Sequence, residues 1–126
     1  MNGLHLTADL RGCAAELAPM TDTAALRALC LGAVATAGLQ AVGELFHRFP
    51  VPGGITGVVL LAESHLAVHT WPELQSATLD VYVCNFGADN SARAHAVLDA
   101  LLAAFVPARV ERHAVLRGSA TFRDMT

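Results

Sequence analysis

The chain is short of charge. Asp, Glu, Lys and Arg make up 15% of its 126 residues, where about 25% is usual for a soluble domain. Hydrophobic residues make up 54%, so charge cannot coat the whole surface, and some apolar surface is expected to face another subunit. The net charge of −3 leaves no basic stripe, which argues against a nucleic-acid partner. Cysteine is scarce and odd in number, with Cys13, Cys30 and Cys84 at unrelated spacings. That pattern fits free thiols in a reducing compartment better than a disulfide framework. Long apolar runs are missing as well. The longest, Ala28 to Leu39, falls short of the roughly 20 residues a bilayer span needs. Asp9 and Arg11 interrupt the stretch where a signal peptide would need an unbroken apolar core. A cytoplasmic protein without membrane contact is the expectation. No linker or low-complexity stretch divides the chain, which reads as a single domain over residues 1–126.

What the chain does have is regular patterning. Leu4 to Leu10 alternates and then meets Gly12, as a first strand would. Thr21 or Asp22 can cap a helix running to about Gly38, with Leu26, Leu29, Cys30, Ala33, Val34 and Ala37 as its apolar stripe. Glu44 to Phe49 reads as a second strand, Leu45 and His47 on one side, Phe46 and Arg48 on the other. Pro50, Pro52, Gly53 and Gly54 mark a turn. Ile55 to Ala62 is a nearly continuous apolar run, and His65 to Trp71 continues as strand until Pro72 ends it. Ala77 to Cys84 alternates, with Leu79, Val81 and Val83 on one face and Asp80, Tyr82 and Cys84 on the other. Asp89 or Asn90 caps a second helix striped by Val97, Leu98, Leu101, Leu102 and Phe105. Ala108 to Leu116 is a last strand, followed by a polar, loose tail after Gly118. The order β-α-β-β-β-β-α-β predicts an α+β, two-layer sandwich: a largely antiparallel sheet with both helices on one face. The other face would be free to meet a second copy.

One run departs from this apolar background. Ala62 to Glu73, AESHLAVHTWPE, puts a Ser, two His and two carboxylates into twelve residues. Fold stability needs none of them there. Ser64 lacks the Gly-x-Ser-x-Gly elbow of hydrolases, so a standard triad is not expected. His65 and His69 have the spacing of a helical zinc pair. In a strand they lie about 13 Å apart at ~3.3 Å per residue, too far for one ion, so no metal is predicted. Five residues separate Ser64 from His69, and a regular strand would put them on opposite faces. A bulge, or freedom of residue 64 after chain cleavage, would reconcile them. Cys84 is open between a small buried hydrophobe and a proton donor.

The stretch from Gly57 to Cys84, GVVLLAESHLAVHTWPELQSATLDVYVC, resembles the core of the bacterial and archaeal S-adenosylmethionine decarboxylase proenzymes. The likeness rests on Glu63-Ser64-His65, then His69-Thr70-Trp71-Pro72-Glu73, then a strand ending in Cys84. HLTADLRGC (His5 to Cys13) and FHRF (Phe46 to Phe49) extend it over most of the chain. The resemblance implies a self-made cofactor. Ser64 would attack the Glu63 carbonyl, cutting the chain into residues 1–63 and 64–126, and the new end at position 64 would become a pyruvoyl group. Its ketone would form a Schiff base with the substrate amine and act as the electron sink for loss of CO₂. By the same resemblance His69 would act in processing, assisted by Thr56 where relatives usually have Ser. Cys84 would return the proton to the substrate carbon. Phe49 and Trp71 are the aromatic candidates for stacking on adenine and read equally well as core residues; Glu73 is the candidate for binding ribose hydroxyls, or a turn carboxylate after Pro72. The substrate would be S-adenosylmethionine, the product an aminopropyl donor for spermidine, and the enzyme a homodimer of cleaved protomers.

The chain also departs from that family. Leu74-Gln75-Ser76 replaces an aromatic, glycine-containing continuation, Asn85 follows Cys84 in place of the usual Gly, and the loop PVPGG before Thr56 is one residue longer. These changes surround the expected substrate pocket. They keep two rivals in view: a pyruvoyl decarboxylase of ornithine or arginine, using carboxylates such as Asp9, Glu73 and Asp80, and an unprocessed, non-catalytic paralogue.

Overall fold

Alternation along the strands builds a sheet with one apolar and one mixed face. The computed structural model describes residues 2–85 and 87–118. Within them the elements run β1 (Gly3–Arg11), α1 (Ala18–Thr21), α2 (Thr23–Thr36), β2 (Ala41–Arg48), β3 (Ile55–Leu61), β4 (Ser64–Trp71), β5 (Ser76–Cys84), α3 (Ser91–Phe105) and β6 (Arg109–Arg117). A 3-10 turn at Pro72–Leu74 follows β4. The six strands form one sheet in the order β2-β3-β4-β5-β1-β6, and every described pairing is antiparallel.

Leu4, Leu6, Ala8 and Leu10 of β1, Leu66 and Val68 of β4, and Ala77, Leu79, Val81 and Val83 of β5 are buried under the helices. They meet Leu26, Cys30 and Val34 of α2 and Val97, Leu98, Leu101 and Phe105 of α3 in one core. Both long helices and both stripes are therefore as the periodicity predicts. Asp22 is the cap of α2, its side chain accepting from the Ala25 N–H at 3.2 Å. The expected sandwich stands, with differences at its edges. The strand expected from Glu44 begins at Ala41, where a register shift between Ala41 and Gly43 bends it. The expected last strand is displaced by one residue, to Arg109–Arg117. A short helix, α1, was not legible, because four residues are too few to show a period. The polar tail expected after Gly118 lies outside the described residues.

Thr70 explains what α1 does. It sits on the apolar face of β4, where Val would be the bland choice, and it is buried. Its hydroxyl donates to the Met20 carbonyl of α1 at 2.8 Å and accepts from the Ile55 N–H of β3 at 2.9 Å. Gly54 packs against the same point, since a Cβ there would lie 2.5 Å from the Thr70 carbonyl oxygen. Thr70→Val keeps the shape and strands a buried donor and a buried acceptor. We expect a loss of about 2–4 kcal/mol, read as a lower midpoint in urea at unchanged slope. A midpoint equal to that of the parent protein would refute this role for Thr70.

Candidate active site

The uncovered face of the sheet carries the expected site residues Thr56, His69 and Trp71. Strand register aligns His47 with Thr56, Thr56 with His69, and His69 with Thr78. Further along the same face His65 lies opposite Tyr82, which lies opposite His5. The expected site residues fall into two groups at opposite ends of β4.

The first group lies at the start of β4. Ala62 and Glu63 alone join β3 to β4, with Leu61 opposite Ser64. So tight a turn puts Glu63 into the left-handed region, φ 55°. A residue with a side chain is disfavoured there by about 1–2 kcal/mol, so the strain rests on the residue whose carbonyl precedes Ser64. Ser64 Oγ accepts from the backbone N–H of Cys84 at 3.1 Å. The two residues, 20 apart in the chain, thus meet at the end of β4 and β5. Cys84 is buried, although its place in the alternation assigns it to the uncovered face. Asn90 Nδ2 donates to the Cys84 carbonyl at 2.9 Å.

The second group lies at the other end. Thr56 Oγ1 and His69 Nδ1 are 3.1 Å apart. The imidazole stacks on Trp71, with ring centroids 5.9 Å apart and planes at 24°. Phe49, Thr56, His69, Trp71, Glu73 and Pro52 help to line a cavity of about 280 Å³. Phe49 and Trp71 are 49% and 39% exposed. Both therefore offer ring surface to a ligand and are not core residues, a question the sequence had left open. Glu73 is exposed too.

No bulge interrupts the pairing of β4 with β3 or β5. The bulge that would have brought Ser64 and His69 together is absent from β4. The two residues take opposite faces and stand about 16 Å apart along the strand.

Between the two groups lies a cluster of rings. His65 stacks on Tyr82 with centroids 5.6 Å apart and meets His5 edge-on at 6.2 Å. Burial and the neighbouring His5 hold the His65 imidazole below its usual pKa, with Asp80 opposing them. His5 Nε2 reaches within 3.8 Å of Asp80. Among the described residues no three His, Cys, Asp or Glu side chains converge as a metal site. Burial pushes the Cys30 thiol up to about 12 and raises that of Cys13, which leaves both inert. Asn90 escaped the sequence reading, where it figured only as a helix cap. The one signal was its position just before a helix and six residues past Cys84.

The chain is similar to known proteins over most of its length. The family model for S-adenosylmethionine decarboxylase matches residues 4–118. The S-adenosylmethionine decarboxylase proenzyme of Aquifex aeolicus is 39% identical over 116 residues, covering 92% of this chain and 81% of that one. The proenzyme of Symbiobacterium thermophilum is 39% identical over 124 residues, 98% of this chain and 89% of its own. The crystal structure of the Aquifex aeolicus adenosylmethionine decarboxylase superposes with a TM-score of 0.84 at 37% identity, covering 95% of this chain and 93% of that one. The resemblance first carried by Glu63-Ser64-His65 and His69 to Glu73 thus extends over the sheet and both long helices, and the chain belongs to the S-adenosylmethionine decarboxylase family.

Proposed function

We propose that this protein decarboxylates S-adenosylmethionine with a pyruvoyl group made from its own Ser64, after cutting its backbone between Glu63 and Ser64. The observation that carries the reading is the setting of Ser64: a hydroxyl one residue past a strained, exposed turn, bonded to the backbone of Cys84. The residues fit the group. In processing, Ser64 Oγ bonds to the Glu63 carbonyl carbon, the peptide C–N bond breaks, and residue 64 gains a free amine. A base then takes the Ser64 Cα proton and the C–O bond breaks, so the oxygen leaves on the Glu63 carboxylate. Water replaces the nitrogen, and ammonia departs. Release of strain at Glu63 favours the first step. The pyruvoyl group supplies an electron sink for the pair left by CO₂.

The remaining roles fall to residues already described. Cys84 stands beside position 64 as the proton donor to the substrate carbon. Phe49 and Trp71 provide faces for a purine ring, and the Glu73 carboxylate accepts hydrogen bonds from ribose hydroxyls. His69, oriented by Thr56, is the base of processing.

The separation of about 16 Å between Ser64 and His69 of one chain supports a homodimer in which each supplies the other's need. The uncovered face carries Leu45, Leu60 and Val115 exposed by 71%, 50% and 47%, apolar surface suited to burial against a second copy. A two-fold axis lying between two such faces and across the strands sets the Ser64 and Cys84 end of one protomer against the Thr56 and His69 end of its partner. Cleaved chains of residues 1–63 and 64–126 stay joined, because β3 and β4 pair across the cut. No helix of the described residues is long and apolar enough to cross a membrane, and three free cysteines suit the reducing cytoplasm. The product would serve as aminopropyl donor in spermidine synthesis.

The substrate is tested by CO₂ release from S-adenosylmethionine, ornithine and arginine at equal concentration. We expect S-adenosylmethionine to be favoured about 100-fold or more, since a site that stacks and hydrogen-bonds a nucleoside leaves those groups unused with an amino acid. Turnover of ornithine or arginine alone would overturn the assignment.

A further inference from the structure

We infer that Asn90 is a positioning residue for Cys84, holding the carbonyl of the residue whose N–H meets Ser64. The inference rests on the proposed roles of Ser64 and Cys84, and its starting point is an anomaly in helix capping. Asn90 occupies the N-cap position of α3, where Asn commonly accepts from the first free N–H groups. Its side chain makes no such bond. The neighbouring Asp89 serves instead, its carboxylate accepting from the Ser91 N–H at 2.9 Å.

Asn90 is turned back toward the sheet. Its Nδ2 donates to the Cys84 carbonyl at 2.9 Å. Its Oδ1 accepts from Arg93 Nη1 at 3.0 Å, and its backbone N–H donates to Asn85 Oδ1 at 2.8 Å. Asn85 Nδ2 reaches Ser91 Oγ at 3.2 Å, and its backbone N–H donates to the Asn2 carbonyl at 2.7 Å. Both ends of each amide are engaged, so neither can rotate without breaking two bonds. The departure from family pattern at Asn85 thereby acquires a purpose, because a Gly there would have no side chain to hold Asn90.

Processing makes this hold necessary. In the uncut chain both backbone polar groups of Cys84 are held, its N–H on Ser64 Oγ and its carbonyl on Asn90. The cut proposed above removes the Ser64 oxygen, which leaves on Glu63. The bond from Asn90 does not depend on that oxygen and survives. A proton donor misplaced by 1 Å can lose much of its efficiency.

The test compares Asn90→Ala and Asn90→Asp with the parent protein. Asp is at least as good a helix cap as Asn, so a merely structural Asn90 predicts an innocuous Asn90→Asp. A positioning Asn90 predicts that both variants lose activity, because both lose the donor to the Cys84 carbonyl. We expect kcat for S-adenosylmethionine to fall about fivefold or more in each, the worth of one hydrogen bond, with KM within about twofold of the parent. Alkylation by iodoacetamide, followed by peptide mass spectrometry on folded protein, gives an arm independent of turnover. Cys84 should react about fivefold faster in both variants, while buried Cys13 and Cys30 stay protected and report that the fold is intact. An Asn90→Asp protein with parental kcat and parental Cys84 reactivity would overturn the inference, as would Cys13 and Cys30 opening in step with Cys84. Absence of cleavage and turnover in the parent protein would sink the proposed function alone, since the alkylation arm would still decide about Asn90.

Discussion

Ser64→Ala should leave one uncut chain and no decarboxylation. The parent protein should run as two fragments on a denaturing gel, with masses that place the cut between Glu63 and Ser64. The variant lacks the only atom able to attack the Glu63 carbonyl from position 64, so strain at Glu63 finds no outlet. Its activity should fall to the uncatalysed level, a loss of at least about 10⁶-fold, since catalysis depends on a group that never forms. Folding should survive. The substitution removes a half-buried hydroxyl and its one bond from the Cys84 N–H, a loss of about 1 kcal/mol. A variant that folds and still splits at the same bond would end the reading of Ser64. A parent protein that stays in one piece would support the non-catalytic rival.

The second large effect is a recovery. Alone, Ser64→Ala and His69→Ala should each be inactive and uncut. Produced together in one cell, they should form mixed dimers in which the sheet end that carries the intact Ser64 and Cys84 of one protomer lies against the end that carries the intact Thr56 and His69 of the other. Random pairing makes half the dimers mixed, and each mixed dimer holds one complete site of two, so about a quarter of parental activity should return. About half of the His69→Ala chains should be cut, and none of the Ser64→Ala chains. If both residues acted within one protomer, mixing would restore nothing. The experiment thus separates the dimer assignment from the chemistry, which the first prediction tests.

How much of this was legible beforehand can be followed residue by residue. The alternation of Leu79, Val81 and Val83 against Asp80 and Tyr82 named the two faces of β5 correctly, because side-chain direction in a strand depends on parity alone. The same parity put Ser64 and His69 on opposite faces, and the structure keeps them there. The stripes of α2 and α3 were equally plain, since burial of one helix side enforces the period. Asp22 was legible as a cap because its side chain acts three residues away. Local rules covered all of these.

The missed features depend on contacts distant in sequence. Thr70 reads as an ordinary strand residue until α1 places the Met20 carbonyl over it, 50 residues away. Asn90 reads as a cap until the loop after β5 folds back and offers the Cys84 carbonyl. Phe49 and Trp71 read equally well as core or site until the uncovered face is known.

Read alone, the order of residues thus carried the elements, the faces of the strands, and through Glu63-Ser64-His65 and His69-Thr70-Trp71-Pro72-Glu73 the family. Those properties follow from residue type and short spacing. Only the tertiary structure decided which of those groups meet. Strand order and register set Cys84 against Ser64, and Thr56 against His69, at opposite ends of β4. Pairing of strands far apart in the chain is a property of the closed sheet as a whole, selected by core packing and turn geometry together, and no local pattern encodes it.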